Sequence, residues 1–578
     1  MIAVAVAGAW TATVADAVTI SPLPGTPDAS PHTQISFLGT PAGEIHDVVV
    51  TGSSSGDHSG RLQAYASAPG ASFLPSRPFG EGERVKVSAL VGAPGHQRRV
   101  GSVFTVARLA HVRIARMGDP PAGTSQTVQS FASAPNLHPP TVRVTTRAAG
   151  SSNEDVFIAA NHGAGQWGPM IFARDGSLVW FKPMPAGETA MDLRVQQYQG
   201  QPVLVWWQGN IASLGVGFGT DYVYDSSYRQ VAQIRAGNGY WADLHEVKLT
   251  PAGAAFITAY TLVRADLSSV GGARDGVLQD AVMQEIDVKT GLVMFEWHAD
   301  GHVAFGDSYS KRPFSPSWPW DYFHMNSISL DPSGDGNFLI SARNTWAGYE
   351  IDHNTGQILW ELGGKHPSFH MGAGTGTAYQ HDMRWQPDGT ITVFDDGSAP
   401  PVHSQSRAIH EQIDFKRRSV SLVGRDVRST SLLTGSQGND ELLADGDSFV
   451  GWGEQPFMTE FGPSGQTLFE ANLPYPAESY RAYTYPWTGT PASLPSLALD
   501  ATGGRVSAVY ASWNGATEVT AWRVLAGPNP AQLTPIATAQ VGVEFQAKIP
   551  VSSSQPDFAV QALGANGQTL GTSATVER

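Results

Sequence analysis

The sequence predicts an all-β protein in which a six-bladed β-propeller is flanked by N-terminal and C-terminal immunoglobulin-like β-sandwich domains. Three observations lead to this prediction. A hairpin pattern recurs along the middle of the chain, no helical periodicity separates its copies, and short alternating strands stand on both sides. Copies of roughly 45 to 65 residues, each with four predicted strands, are typical of propeller blades.

The first strand of each hairpin runs to a turn glycine. The stretches are DLRVQQYQG, HEVKLTPAG, NSISLDPSGDG, HDMRWQPDG and GNDELLADG. Their first residues, which are equivalent in the repeat, are Asp192, His245, Asn326, His381 and Gly438. A second strand–turn–strand unit follows each hairpin, as in EIDVKTGLVMFEW and EIDHNTGQILWEL. Apolar and polar residues alternate and the runs break at Gly, Asp and Pro, which indicates short antiparallel strands.

The flanking regions differ from the repeats and set the predicted domain limits. Residues 18–148 predict a β-sandwich with its linker, 149–495 the propeller, and 496–578 the second sandwich. Residues 1–17 predict a signal peptide, because a short apolar run precedes an A-D-A pattern at 15–17. The protein is therefore expected to be secreted or attached to the cell surface.

Composition narrows the possible functions. The chain has 578 residues, a net charge of −15 and no cysteine. An acidic chain without a basic patch offers no surface for nucleic acid. Without cysteine there is no disulfide, no thiolate metal site and no cysteine nucleophile.

A closed repeat brings equivalent positions together around one axis. Seven residues after each turn glycine the partner strand ends, at the same end of the hairpin where the first strand begins. The positions reached are Trp207, Tyr260, Arg343, Asp396 and Gly453. The predicted neighbours are His245 with Tyr260, Asn326 with Arg343, and His381 with Asp396.

Three histidines, an arginine and an asparagine are thus expected at one mouth of the central channel. His324 is the third histidine, because it precedes Asn326 by two residues and shares its face of the strand. The predicted binding residues around this group are Trp207, Tyr260, Gln437 and Asn439. The histidines interpreted as structural are His162, His298, His302, His353, His366, His370, His403 and His410.

These residue types leave several chemistries open. Three neutral imidazoles would suit zinc and a metal-dependent hydrolase using His245, His324 and His381. Arg343 would repel a cation, and with Asn326 it favours a tetrahedral anion such as sulfate or phosphate. An imidazole is also a competent nucleophile near neutral pH. We predict that the site binds or transfers a tetrahedral anionic group and holds no metal. The alternative is a non-catalytic extracellular propeller that binds anionic or glycan ligands.

Several segments carry a resemblance to a known family. They are DLHEV at 243–247, FHMNS at 323–327 with ISAR at 340–343, YQHD at 379–382 followed by TVFDDG at 392–397, and SQGN at 436–439. Together they resemble the arylsulfate sulfotransferases, over roughly 150–490. Members of that family are exported six-bladed propellers. They move a sulfuryl group from a phenolic sulfate ester to a phenol, through a sulfated histidine and without a nucleotide donor.

The resemblance implies a role for each residue of the cluster. His381 would be the nucleophile, and His324 would bind the sulfuryl oxygens. Asn326 would stand beside His324, with Arg343 opposite. His245 would complete the pocket and shuttle the proton of the phenol. The implied partners are a small aromatic sulfate donor and a phenolic acceptor, with no cofactor.

Overall fold

The computed structural model describes residues 18–113, 115, 116, 118, 123–311 and 315–578. Over these residues the chain is all-β, which confirms the all-β part of the predicted fold class. The described helices are single 3-10 turns at Ala42–Glu44, Ser268–Val270 and Phe305–Asp307. Within the described ranges, no helix has the length and apolar character needed to cross a bilayer. The predicted signal peptide at 1–17 lies outside the described residues.

Two four-stranded antiparallel sheets form the first part of the described chain. Their strands are β1 Thr19–Ser21, β2 Ile35–Leu38, β3 Ile45–Gly52, β4 Gly56–Asp57, β5 Gly60–Ala64, β6 Gly70–Pro75, β7 Arg84–Val91 and β8 Arg98–Thr105. The sheet orders are β1-β2-β6-β5 and β4-β3-β7-β8. Alternate side chains of both sheets, including Phe37 and Val87, pack into one shared core, as the alternating sequence requires.

The middle of the chain consists of consecutive antiparallel sheet units. Its strands are β9 Arg143–Arg147, β10 Asp155–Asn161, β11 Gly168–Phe172, β12 Leu178–Phe181, β13 Thr189–Tyr198, β14 Gln201–Ile211, β15 Gly217–Tyr224, β16 Gln230–Ile234, β17 Ala242–Leu249, β18 Ala254–Ala265, β19 Gly276–Asp287, β20 Val293–His298, β21 Trp320–Asp321, β22 Met325–Leu330, β23 Phe338–Ala342, β24 Ala347–Ile351, β25 Ile358–Gly363, β26 His370–Met371, β27 His381–Trp385, β28 Thr390–Asp395, β29 Arg407–Asp414, β30 Ser419–Asp426, β31 Asn439–Leu442, β32 Ser448–Gly451, β33 Phe457–Phe461, β34 Thr467–Asn472 and β35 Glu478–Tyr485.

One strand from each unit contacts its counterparts in a closed cycle. These inner strands are β13, β17, β22, β27, β31 and β35. The cycle closes because β35, from the end of the region, pairs with β10 from its beginning in the order β12-β11-β10-β35. A strand from the start of the region, β9, likewise pairs with β34 near its end. Both ends of the region are therefore held by hydrogen bonds between residues far apart in sequence.

Four of the six inner strands share an irregularity near their first residues. The register shifts between Met191 and Arg194 in β13, and a comparable shift occurs in β17, β22 and β27. Such bulges re-aim side chains toward one end of a sheet. The prediction that each equivalent residue opens its strand holds for His381, the first residue of β27. His245 instead lies inside β17, within the bulged stretch.

The last part of the chain is again built from two antiparallel sheets. Its strands are β36 Ser496–Thr502, β37 Arg505–Ser512, β38 Ala521–Gly527, β39 Thr534–Gln540, β40 Gln546–Ser553, β41 Asp557–Leu563, β42 Thr569–Thr572 and β43 Val576–Glu577. The orders are β36-β37-β40 and β39-β38-β41-β42, with β43 paired to β41. Both sheets contribute to one core that contains Val509, Trp522 and Phe558.

Candidate active site

A cavity of about 560 Å³ lies where the inner strands begin. Its polar lining includes Arg116, His162, His245, Asp321, His324, Arg343, His381, Ser436 and Gln437, with Tyr480 on one wall. The three predicted histidines and the predicted arginine therefore face one space. This convergence is the geometric condition on which any chemistry by the cluster depends.

Each of the three histidines is held through Nδ1 by a buried or half-buried carboxylate. The Nδ1–oxygen distances are 2.5 Å for His245 with Asp243, 2.5 Å for His324 with Asp321, and 2.8 Å for His381 with Asp396. A ring nitrogen fixed in this way leaves Nε2 as the nitrogen available for chemistry. The ring centres lie 4.8 Å apart for His245 and His324, and 6.5 Å apart for His324 and His381.

The surroundings of His381 make its Nε2 a free base. The backbone N–H of Gln437 donates to this atom at 3.2 Å, so the ring proton sits on Nδ1 and faces Asp396. Burial lowers the pKa of His381 well below its usual range, and the positive charge of Arg343 adds to the effect. Burial also raises the pKa of the Asp396 carboxyl, against the charge of Arg343. His381 is therefore a neutral imidazole with an unprotonated Nε2 at neutral pH.

Arg343 supplies the cationic side of the cavity. Its guanidinium donates to Oδ1 of Asn344 at 2.9 Å and to the carbonyl of Gly435 at 2.8 Å, and it stacks 4.8 Å from the ring centre of Tyr379. These contacts use only part of its five N–H donors, so others remain for an anion. The backbone N–H of Arg343 donates to the carbonyl of His324 at 2.9 Å, so Arg343 lies beside the start of the strand that carries Asn326.

Tyr260 stands between two cavities. Its ring centre lies 6.0 Å from that of His245, as the repeat predicted, and 6.1 Å from that of His324. Its hydroxyl donates to the carbonyl of Met325 at 2.7 Å. The exposed part of Tyr260 lines a neighbouring cavity of about 580 Å³, whereas the predicted position was a wall of the histidine cavity.

Trp207 is not a wall of the site, contrary to the prediction. Its indole is buried in the core between sheet units and donates Nε1–H to the carbonyl of Ala242 at 2.8 Å. Gly217 and Gly219 lie directly against the ring, and a Cβ at either would approach it within 2.6 Å. The large side chain of Trp207 on β14 thus fills the space that these glycines leave.

Two amides predicted to meet the ligand are structural as well. Asn326 is fully buried behind the cavity, where its Nδ2 donates to the carbonyl of Gln380 at 2.8 Å. Asn439 is also fully buried and exchanges two hydrogen bonds with the backbone of Ala482, at 2.8 and 2.9 Å. Of the predicted amide residues, Gln437 is the one that lines the cavity.

His162 was interpreted as structural, but it lines the cavity. Its Nδ1 lies 2.7 Å from a carboxylate oxygen of Glu478, and that hydrogen bond raises the pKa of His162. The same carboxylate accepts a hydrogen bond from Nε2 of Gln437 at 3.0 Å. His162 falls outside the repeat because it follows β10, which is not an inner strand. No local sequence signal marks His162, because its place in the cavity depends on β35 pairing with β10.

A balanced charge network lies on the inner strands. Arg481, fully buried on β35, contacts Asp192 at 3.1 Å, Asp382 at 3.1 Å and Glu246 at 3.5 Å. The two other cations of the network, Arg194 and Arg384, bind the same three carboxylates. Asp192, at the first repeat position, thus has a structural role. The repeat pattern did not predict this network.

The zinc hypothesis for the three histidines has little geometric support. Among the described residues, one group of His, Asp and Glu has ligand atoms that all lie within 4.8 Å of one another, and it is Asp28, Asp280 and His298. The cavity histidines are not part of it. Arg343 also shares their cavity, and its charge disfavours a cation there.

Residues 194–473 match the family model for arylsulfotransferase (ASST). This region is arylsulfotransferase-like. No curated protein matches the chain in sequence. The arylsulfotransferase-like region contains His245, His324, His381 and Arg343, and the match supports a transferase.

Solved structures that match part of the chain are distant from it in sequence. A protein of unknown function from Bacteroides caccae is 13% identical, covers 57% of this chain and 98% of its own, and has a TM-score of 0.34. A putative 6-phosphogluconolactonase from Bacteroides fragilis is 7% identical, with coverages of 58% and 99% and a TM-score of 0.33. A catalytically inactive virginiamycin B lyase from Staphylococcus aureus is 11% identical, with 65%, 97% and 0.27. These similarities are too low to bear on the function of the arylsulfotransferase-like region.

Proposed function

We propose that the protein transfers a sulfuryl group from an aryl sulfate ester to a phenol, through a sulfated His381 and without a nucleotide donor. The observation that carries the proposal is the neutral, carboxylate-held imidazole of His381, which shares a cavity with Arg343 and three further histidines. An unprotonated ring nitrogen beside a cation matches what an anionic ester requires of a nucleophile.

The first half of the reaction forms the covalent intermediate. The Nε2 lone pair of His381 attacks sulfur, the bond from sulfur to the aryl oxygen breaks, and the aryl group leaves as a phenolate. Charge spreads over the three equatorial oxygens during this displacement, as in phosphoryl transfer. Arg343 and the imidazole of His324 line the cavity where those oxygens would sit. The Gln437 N–H, which donates to Nε2 in the free protein, is placed to donate to a sulfuryl oxygen instead.

The second half transfers the group to the acceptor. The phenol oxygen attacks sulfur, the bond from sulfur to nitrogen breaks, and its electron pair returns to His381. The phenol proton passes to Nε2 of His245, which then releases it to solvent for the departed phenolate. Burial lowers the pKa of His245, so its imidazole is neutral and able to accept this proton. Donor product leaves before acceptor arrives, which gives ping-pong kinetics.

We also propose that the six sheet units with the closed cycle of inner strands are the blades of a six-bladed propeller at 149–495. The sheets at 18–148 and 496–578 would be flanking immunoglobulin-like sandwiches, and the two-sheet cores at both ends support this division.

From the predicted signal peptide at 1–17 we also propose that the protein is exported and acts outside the cytoplasm, secreted or at the cell surface. Protease protection in intact cells tests the location.

The covalent intermediate gives the direct test of the function. We expect the protein to release phenol from a chromogenic aryl sulfate and to gain the mass of one sulfuryl group, located on His381. Added phenol should remove that mass and yield the new ester. A non-catalytic binder of anionic or glycan ligands would show a ligand-dependent melting shift, with neither turnover nor added mass.

Arg343→Met should lower kcat/KM about 100-fold, because one lost donor to a transition-state oxyanion costs about 3 kcal/mol. Arg343→Lys keeps the positive charge but loses the forked arrangement of N–H donors. Its kcat/KM should lie between those of Arg343→Met and the native protein. Steady-state kinetics with one aryl sulfate measures both. Native kcat/KM in Arg343→Met would remove Arg343 from the proposed mechanism.

Asp396→Asn should lower kcat by up to about 10⁴-fold, because an amide can hold the imidazole in the wrong tautomer. The rate of sulfuryl adduct formation, followed by intact mass, measures the loss. Asp414→Asn is the control, since Asp414 is a surface partner of Arg417. Equal rates in both variants would show that Asp396 does not orient the nucleophile.

The pH profile should reflect the lowered pKa of His381. The neutral imidazole reacts, so activity is lost only as pH falls through the folded-state pKa, which lies below the usual value of about 6.5. We expect kcat/KM to stay level between about pH 7.5 and about pH 6.5 and to fall at lower pH. An acid limb centred at or above the usual histidine pKa would contradict this assignment.

A further inference from the structure

Outside the active site, three metal-ligating groups meet at the contact between the first part of the chain and the central sheets. Asp28 lies in the loop between β1 and β2, Asp280 on β19, and His298 at the end of β20. All three are buried, with 4%, 0% and 2% of their surface exposed. Their ligand atoms lie within 4.8 Å of one another.

The two carboxylates converge on a single nitrogen. Oδ1 of Asp28 and Oδ2 of Asp280 both lie 3.0 Å from Nδ1 of His298. A tetrahedral ion with bonds of about 2.1 Å holds its ligand atoms about 3.4 Å apart, close to these separations. The three side chains would therefore need to move only slightly to bind such an ion.

The other ring nitrogen of His298 has the partner that metal-bound histidines usually have. Nε2 lies 3.1 Å from a carboxylate oxygen of Glu296. Glu296 is fixed in turn, because its other oxygen accepts hydrogen bonds from Asn238 at 2.7 Å and from Gln284 at 2.6 Å. A carboxylate on the far nitrogen orients the imidazole so that the near nitrogen faces an ion.

Two buried polar groups at the cluster lack hydrogen-bond partners. Oδ2 of Asp28 has none among the described residues, and neither has the hydroxyl of Tyr240. The ring centre of Tyr240 lies 6.4 Å from that of His298. Three carboxyl groups, those of Asp28, Asp280 and Glu296, lie around one imidazole. Buried carboxylates are normally paired or bound to metal.

We propose that Asp28, Asp280 and His298 bind a divalent transition metal, with zinc as the best match to one nitrogen and two carboxylate oxygens. The ion would join the first part of the chain to β19 and β20 of the central region. Its role is structural, since the site is separate from the histidine cavity and the described lining of that cavity contains none of these residues. The proposal stands independently of sulfuryl transfer.

The test uses the full chain, purified without metal-affinity resin and analysed by inductively coupled plasma mass spectrometry. We expect about one equivalent of zinc per chain, a lower melting temperature after chelation, and recovery on adding zinc chloride. Asp28→Asn should lose the metal and the zinc-dependent shift. His353→Gln is the matched control, because His353 pairs with a single carboxylate, Glu285, at 2.9 Å.

A milder variant guards against loss of folding. Glu296→Gln keeps all three ligands and should weaken zinc binding about 10- to 100-fold. The proposal is overturned if native protein holds no more metal than Asp28→Asn, or if zinc, manganese and calcium leave the melting of chelated native protein unchanged. In that case His298 is a protonated imidazole that bridges the three carboxylates. The proposal of sulfuryl transfer would still stand, because metal content and melting temperature do not test it.

Discussion

We expect His381→Asn to lose at least about a thousandfold in kcat, the loss typical of a removed nucleophile. Asparagine keeps a polar side chain of similar reach but has no nitrogen lone pair that can attack sulfur. The variant should also gain no sulfuryl mass on exposure to an aryl sulfate, because the intermediate cannot form. Initial rates and intact mass from one incubation measure both effects.

His410→Asn is the control for this experiment. His410 also pairs with a buried carboxylate, through Nε2 at 2.8 Å from Asp440, but it does not line the histidine cavity. The control should keep the adduct and most of the activity. If His381→Asn turned over at the native rate, or if the mass appeared on His245 or His324, the assigned nucleophile would be wrong.

The largest loss of stability is expected for Arg481→Met. The substitution leaves Asp192, Asp382 and Glu246 with one cation fewer, and it removes the donor to the carbonyl of Asn326 at 2.7 Å. Removing one partner of a buried ion network typically costs about 3–5 kcal/mol, because the remaining charge stays buried and unpaired. Arg481 also joins β35 to four other inner strands, so the loss acts on the closure of the ring.

Chemical denaturation followed by tryptophan fluorescence measures this loss. Arg108→Met is the matched control, because Arg108 pairs with Asp275 at 2.8 Å while both side chains are more than half exposed. An exposed pair contributes about 1 kcal/mol or less. If the two variants unfolded at the same denaturant concentration, the Arg481 network would not be holding the ring together.

The repeat in the sequence predicted much of the site because register is a local property. A hairpin of fixed length places its first and last residues side by side, so the pairing of His381 with Asp396 at 2.8 Å and the approach of Tyr260 to His245 followed from counting. The same count placed His324 in the cluster, since two residues along a strand return to the same face.

Counting could not tell a cavity residue from a core residue. Trp207 occupies the same repeat position as Tyr260, but glycines on the adjoining strand give its ring a buried place. Asn326 occupies the same repeat position as His381, yet its Nδ2 donates a hydrogen bond to the backbone carbonyl of Gln380. Equivalent backbone positions thus acquired different roles from the neighbours that pack against them.

The sequence by itself determined the all-β class, the tandem hairpins and the convergence of three histidines with Arg343, because strand period and turn spacing are encoded over a few residues. The tertiary structure alone decided which other side chains reach the cavity. Bulges re-aim residues of the inner strands, β35 returns beside β10, and His162 thereby joins the site with Glu478. Contacts between residues hundreds of positions apart have no local signature, so they were set only when the ring closed.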